Sequence, residues 1–378
     1  MAKQENNHIV LKTIACILVL IISAVGGFFF GFTNSFVNKD ESNVTIGELS
    51  MHFMYLGNKD NGDSIYIKAG DTDILVDAGS AADSLDTIKT YVNQYCTDGI
   101  LEYVIVTHAD LDHIAAFAGT TKENTSLFDF YKCKTIIDFA RTDKTSAAYG
   151  RYVEKRDKEV ENDGAVHYTA LQCYKNLDGA QREYELAPDM SIEFLYHDYY
   201  ETSHKDENNY SVCFMLKHGD RNFLFTGDLE EEGEASLVAK NTLPEVELYK
   251  AGHHGSKTSS NDVLLDVIKP KISVVCCSAG NVEYLTKVPQ NLHNTFPTQA
   301  YIDRISKHTE QVYVTTYAEI EMVDGRWKNT GEHGLLNGNI VVTSKALGVT
   351  VNCSNNNTLL KDTQWFKDNR DMPAAWNH

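Results

Sequence analysis

Two imidazoles and two carboxylates stand within six residues in the run His108-Ala109-Asp110-Leu111-Asp112-His113. Imidazole nitrogens and carboxylate oxygens are the donors that divalent cations take, and a short turn after a strand can present such a run to two ions at once. A solvated turn that only caps a helix needs one aspartate, not this set. A second candidate is Phe225-Thr226-Gly227-Asp228, an apolar run that ends in glycine and a carboxylate. The two oxygens of Asp228 could join two cations about 3.5–4 Å apart, which one neutral imidazole cannot do. The third is Gly252-His253-His254-Gly255-Ser256-Lys257, where glycines let the backbone come close and aim imidazoles at a metal.

Strand-like runs precede each of these groups. Tyr103 to Thr107 is β-branched and aromatic and ends at His108, and Val246 to Lys250 runs into the histidine pair. Ile65 to Ala69 and Asp73 to Asp77 alternate around Gly70-Asp71, and Val212 to Leu216 and Asn222 to Phe225 flank His218-Gly219-Asp220, so each set reads as a hairpin. Leu85, Ile88, Val92 and Tyr95 recur at helical spacing, a helix is expected through Ala147 to Glu159, and Ile272 to Cys277 reads as a further strand. The alternation predicts an α/β protein in two halves, with helices outside central sheets. Thr121 to Asp206 is charged and aromatic and carries no interpretable chemical motif.

The chain has 378 residues, with 53 acidic against 34 basic side chains and a formal charge of −19. Hydrophobic residues make up 42% of it, enough for a substantial core, so disordered and collagen-like classes are excluded. The acidic surface repels phosphate backbones, so basic-patch binding of nucleic acid is excluded too. None of the eight cysteines forms a CxxC pair, and most read as small buried hydrophobes. Ile14 to Phe32 is almost wholly apolar, and about 20 such residues span a bilayer as a helix. Lys3 and Lys12 precede it, which places the N-terminus in the cytoplasm and the remainder outside. Unpaired cysteines fit an oxidising exterior poorly; a cleaved signal followed by secretion is the alternative.

Together with Gly62-Asp63-Ser64, Ile74-Leu75-Val76-Asp77-Ala78-Gly79 and Asn208-Asn209-Tyr210-Ser211, these motifs resemble the metallo-β-lactamase superfamily in order and spacing. Within it they are most similar to the hydrolase domains of ComEC-type competence proteins, over roughly Met51 to Thr315. The resemblance implies a four-layer αββα sandwich over 47–345, after a segment 1–46 holding the cytoplasmic stub, membrane helix and linker, with 346–378 as peripheral strands or tail. It implies one metal held by His108, Asp110 and Asp228, and another held by Asp112, His113, Asp228 and one of His253 or His254. Asp77 and Asn208 would support the ligands. Asp112 and His293 would be catalytic, His293 as a proton donor or phosphoryl-oxygen ligand, and Ser256 and Lys257 would bind substrate.

Asp110 replaces the histidine of true lactamases, and Asn208 stands where their separate third histidine would be, with His204 nearby. Oxygen-rich ligation favours Mn²⁺ or Mg²⁺ relative to a zinc site. Two divalent ions, Mn²⁺ or Zn²⁺ with Mg²⁺ possible, are the expected cofactors. The expected function is cleavage of a phosphodiester, DNA or another such ester, by a metal-bridging hydroxide. The alternatives are a metal-dependent lactonase or lactamase, and a noncatalytic metal-containing module of a DNA-uptake or cell-wall assembly.

Overall fold

In the computed structural model the described residues are 47–120, 122 and 124–377. Alternating side chains explain the architecture, because β-strand neighbours point to opposite faces. On β9 (Cys213–His218), Phe214 and Leu216 face one hydrophobic core while Cys213 and Met215 face another. On β10 (Arg221–Phe225), Phe223 and Phe225 take the first and Leu224 the second. These strands are therefore apolar on both sides, as a sheet covered on both faces requires.

The first core lies between two eight-stranded sheets. Phe225 stacks on Phe214 at 4.7 Å and on Phe53 of β1 (Leu49–Phe53) at 6.2 Å, joining the two sheets through aromatic faces. Beyond the second sheet, α5 (Glu231–Lys240), α6 (Asp262–Ile268) and α7 (Gln299–Ile305) supply Leu237, Leu264, Leu265 and Ile302 to the other core. On the far side of the first sheet, His52 of β1 bonds Tyr91 of α1 (Ser84–Val92) at 3.0 Å. The order of layers is helix, sheet, sheet, helix.

With β7 (Glu183–Ala187), β8 (Met190–Leu195), β14 (Arg326–Leu335), β15 (Ile340–Lys345) and β16 (Gly348–Cys353), the first sheet runs β16-β15-β1-β2-β3-β4-β5-β6 and the second β14-β13-β12-β11-β10-β9-β8-β7. Both are mixed. The hairpin of β2 (Ile65–Ala69) and β3 (Thr72–Val76) is antiparallel, while β3, β4 (Ile100–Ile105), β5 (Lys132–Asp138) and β6 (Val166–Thr169) pair in parallel. In the second sheet β10, β11 (Leu248–Lys250), β12 (Ile272–Ala279) and β13 (Val312–Val323) are parallel. The expected helix after Ala147 is α3 (Ala147–Lys158), capped by Ser146, whose hydroxyl accepts from Tyr149 N.

The described residues form one compact unit. The expected division after 345 falls in the turn between β15 (Ile340–Lys345) and β16 (Gly348–Cys353), which pair antiparallel in register, and β15 also pairs with β1. Gly348–Cys353 is thus an edge strand of the first sheet, and Leu360, Phe366 and Trp376 after it lie in the second core. The expected membrane span, Ile14 to Phe32, lies outside the described residues. Among the described residues no helix is long and apolar enough to cross a membrane. Their seven cysteines are free, six of them buried.

Candidate metal centre

The strands just described end together, and the chemistry sits at those ends. His108 follows β4, Asp77 follows β3, Asp228 follows β10, and the histidine pair follows β11. Backbone ties hold the strand ends to one another: Asp77 N donates to Ile105 O at 2.9 Å, and Ala78 N to His113 O at 2.8 Å. Gly79 permits this approach, since a Cβ there would fall 1.7 Å from the carbonyl oxygen of Asp112. Gly227, at φ 54°, plays the same part before Asp228.

Four imidazoles converge on one oxygen. Asp228 Oδ2 lies 3.2 Å from His113 Nε2, 3.3 Å from His254 Nε2, 3.9 Å from His253 Nε2 and 4.0 Å from His108 Nε2. Asp112 Oδ2 stands 3.3 Å from His254 Nε2, and Asp110 Oδ2 stands 3.6 Å from His108 Nε2. The second nitrogen of each ring is engaged elsewhere. His254 Nδ1 donates to the Cys276 carbonyl at 2.8 Å, and His113 Nδ1 donates to Asp77 Oδ2 at 2.8 Å. A carbonyl or carboxylate only accepts, so both rings carry hydrogen on Nδ1 and turn Nε2 to the centre. His253 Nδ1 lies 3.4 Å from Glu230 Oε1, with the Asn208 amide at 3.4 Å.

This donor set fits divalent cations. His108 Nε2 and His113 Nε2 are buried without a hydrogen-bond partner, a costly state that a bound cation would relieve. Asp112, His113, Asp228 and His254 present ligand atoms all within 4.8 Å of one another. Asp110 occupies the N-cap of α2 (Leu111–Ala118) yet makes no capping bond, so its carboxylate is not spent on the helix.

Electrostatics in the metal-free chain point the same way. Burial pushes the His113 and His254 imidazoles down, but Asp228 with Asp77 or Asp63 outweighs it, and both are held well above the usual range. The Asp228 carboxyl is held well below its usual range, since His254 and His113 outweigh its burial. His108 is pushed down to about 4 by burial and by His113. Two imidazolium groups thus supply positive charge where cations would sit.

Asp77 takes Thr107 N and Oγ1, each at 2.7 Å, besides His113, so it orients that ring through three bonds. Its φ of 55° is a strained conformation for a non-glycine, as are those of His253 and His254 at 45° and 53°. Ser256 is nearly buried and bonds Thr258 Oγ1 at 2.9 Å. A cleft of about 750 Å³ opens over the centre, lined by Asp110, Asp112, Asp228, His253, Lys257 and Tyr284 among others.

Two sequence expectations do not reach the cluster. His293 does not line the cleft, although Asn291 and Asn294 do; its ring is 40% exposed and lies 4.0 Å from Asp371. The short helical turn Leu292–Asn294 directs neighbouring side chains to different sides, and the ring of His293 comes out at the surface. His204 pairs with Glu232 instead. Conversely, Asp63 and Lys250 were not recognised as a functional pair. Both are 1% exposed and ion-paired, with Lys250 Nζ 3.9 Å from Asp228 Oδ1. The available signal was a lysine closing the apolar strand Val246 to Lys250. Nothing in the sequence marks the Cys276 carbonyl.

This fold and cluster define an α/β two-sheet protein with a candidate metal-binding centre at its strand ends. The family model described as Metallo-beta-lactamase superfamily matches residues 57–123 and 203–279. The chain is similar to ComE operon protein 3 of Bacillus subtilis, 27% identical over 183 residues, covering 48% of this chain and 20% of that protein. It is similar also to Competence protein ComA of Neisseria gonorrhoeae, 37% identical over 90 residues, covering 23% of this chain and 13% of that protein. It thus spans a fifth or less of the length of these relatives. Among solved structures, the metallo-beta-lactamase fold protein YhfI from Bacillus subtilis matches with a TM-score of 0.42 at 12% identity, covering 70% of this chain and 95% of that one.

Proposed function

We propose that this domain is a dinuclear metal-dependent hydrolase that cleaves a phosphodiester. The observation that carries the reading is the convergence of four imidazole Nε2 atoms on Asp228 Oδ2, with Asp110 beside His108 and Asp112 beside His254. His108, Asp110 and His253 would hold one ion and Asp112, His113 and His254 the other, with Asp228 shared. His253 then fills the place left open by Asn208, which supports that ring instead. When bound, the ions would lower the pKa of water and take charge from a phosphoryl oxygen.

The chain's own groups do the rest. Asp77, Glu230 and the Cys276 carbonyl fix ring orientation and tautomer. Lys250 faces the unshared oxygen of Asp228 and keeps that carboxylate anionic and turned inward. Lys257 at the cleft offers an ammonium to a phosphate, while Tyr284, which also lines the cleft, lies against Phe296, 5.5 Å between ring centres. The phenol of Tyr284 is pushed up by burial and by Asp112, so it remains a neutral donor and not a competing anion.

We place the domain outside the cell, tethered through Ile14 to Phe32, on the strength of that uncharged apolar run and the lysines before it. The test of activity is metal analysis of the purified protein, followed by bis(p-nitrophenyl) phosphate, single-stranded DNA, a phosphocholine ester and nitrocefin as substrates. Turnover of phosphodiesters abolished by chelation supports the reading. Nitrocefin turnover alone would replace it with a lactamase, and a metal-free protein would remove it.

A further inference from the structure

The segment from Thr121 to Asp206 carries no chemical motif, yet one of its side chains reaches the centre. Lys144, in the loop between β5 and α3, forms an ion pair with Asp110 through Oδ1. The other oxygen, Oδ2, faces His108 Nε2 at 3.6 Å. The Asp110 carboxylate is therefore divided between an ammonium outside and an imidazole inside.

The loop that brings Lys144 there is fixed at several points. Thr142 Oγ1 donates to Glu207 Oε1 at 2.5 Å, Asp143 N donates to Glu207 Oε2 at 3.1 Å, and Lys144 N donates to Thr142 Oγ1 at 3.0 Å. Tyr210 OH donates to Asp143 Oδ2 at 3.1 Å. Glu207 precedes Asn208, whose amide touches Glu230 and His253. One turn thus links the loop to both the His108 and the His253 sides.

A ligand carboxylate has two equivalent oxygens and can bind one ion through either, chelate it through both, or turn away. An ammonium on Oδ1 removes those choices and leaves Oδ2 to the centre, which matters where a carboxylate stands in the place of a one-nitrogen imidazole. We propose that Lys144 is a positioning residue for Asp110, which makes the segment between β5 and β6 a working part of the metal centre. The proposal rests on the dinuclear reading above.

The test is calorimetric titration of Mn²⁺ into chelator-stripped full-length protein for wild type, Lys144→Met and Lys144→Arg. The expected result is two binding events in wild type. Lys144→Met should weaken one by about 10–100-fold, as loss of an outer-shell partner does, and leave the other within about threefold. Lys144→Arg, which keeps the charge, should restore most of the loss. The side chain is one-third exposed, so the metal-free melting temperature should not move. Unchanged affinity for both ions in Lys144→Met overturns the proposal. So does equal loss at both sites without rescue by arginine, which would assign the effect to the loop's fold, and so does a raised KM for phosphodiester with intact metal binding, which would make Lys144 a substrate ligand. Absence of Mn²⁺ binding by wild type instead overturns the dinuclear reading itself.

Discussion

Asp228 is the residue whose two oxygens divide the centre, one toward four imidazoles and the other toward Lys250. Replacing it with asparagine should remove metal from both positions, whereas Asp112→Asn should deplete mainly the side shared with His254. Elemental analysis of the two variants distinguishes these outcomes, and equal depletion would argue against a shared ligand. The pH dependence follows from the imidazoles. His113 and His254 are held well above their usual range in the metal-free chain, so they carry protons at neutral pH, and an ion must displace those protons from Nε2. Metal affinity should therefore rise with pH from acid through neutral, with about one proton released per displaced imidazolium. Titrations at pH 7 in buffers of different ionisation enthalpy measure this, and an identical heat in both would refute it. His293 faces Asp371 on the surface, so His293→Ala should leave both metal content and turnover within about threefold of wild type. A loss above about 10²-fold, the size general-acid catalysis supplies, would return it to the reaction.

At the level of elements, the histidine loop depends on a neighbour that binds no metal. Glu234, fully buried on α5, accepts from Ser260 N at 2.5 Å and from Asn261 N and Nδ2 at 2.9 Å each. These bonds close the turn after Lys257 and satisfy backbone donors at the start of α6. Glu234→Gln would set an amide NH₂ against a backbone N–H, a loss of about 1–3 kcal/mol for an unsatisfied buried group. Thermal or denaturant unfolding of metal-free protein should register it; an unchanged midpoint would mean the loop holds itself. The segment that brings Tyr284 to the cleft is tied to the arm of β13 and β14 (Arg326–Leu335), where Asn329 Oδ1 accepts from Val282 N at 3.0 Å and Trp327 N donates to Gln290 Oε1 at 2.5 Å.

Across the whole molecule, the formal charge of −19 sets how a polyanion approaches. Basic nucleic-acid binders lose affinity steeply as salt rises, because phosphate contacts release counterions. Here the general field repels the polyanion, and screening shrinks its reach from about 30 Å at 0.01 M salt to about 8 Å at 0.15 M. For single-stranded DNA, kcat/KM should stay flat or rise over that range, whereas for bis(p-nitrophenyl) phosphate it should change little. A steep fall with salt on DNA would reveal a concentrated basic track that overrides the net charge.

The ligand types and their order were determined by the sequence, because each lies at the end of an apolar run whose period of two or 3.6 is a local property. His108 to His113, Asp228 and the histidine pair needed no partner strands to be recognised, and the alternation of strand and helix patterns around them implied two halves with helices outside central sheets. Which histidine serves which side was beyond it. Adjacent residues such as His253 and His254 have the same spacing, and only the consecutive positive φ values and the Cys276 and Glu230 acceptors turn the rings to different partners. His293 failed for the converse reason, since proximity in sequence to Asn291 and Asn294 does not fix the side of a short turn on which an imidazole falls. Tertiary structure alone decided the buried Asp63–Lys250 pair, the Asp110–Lys144 contact and the pairing of β15 with β1, because each joins residues far apart in the chain whose meeting is set by strand order and not by local pattern.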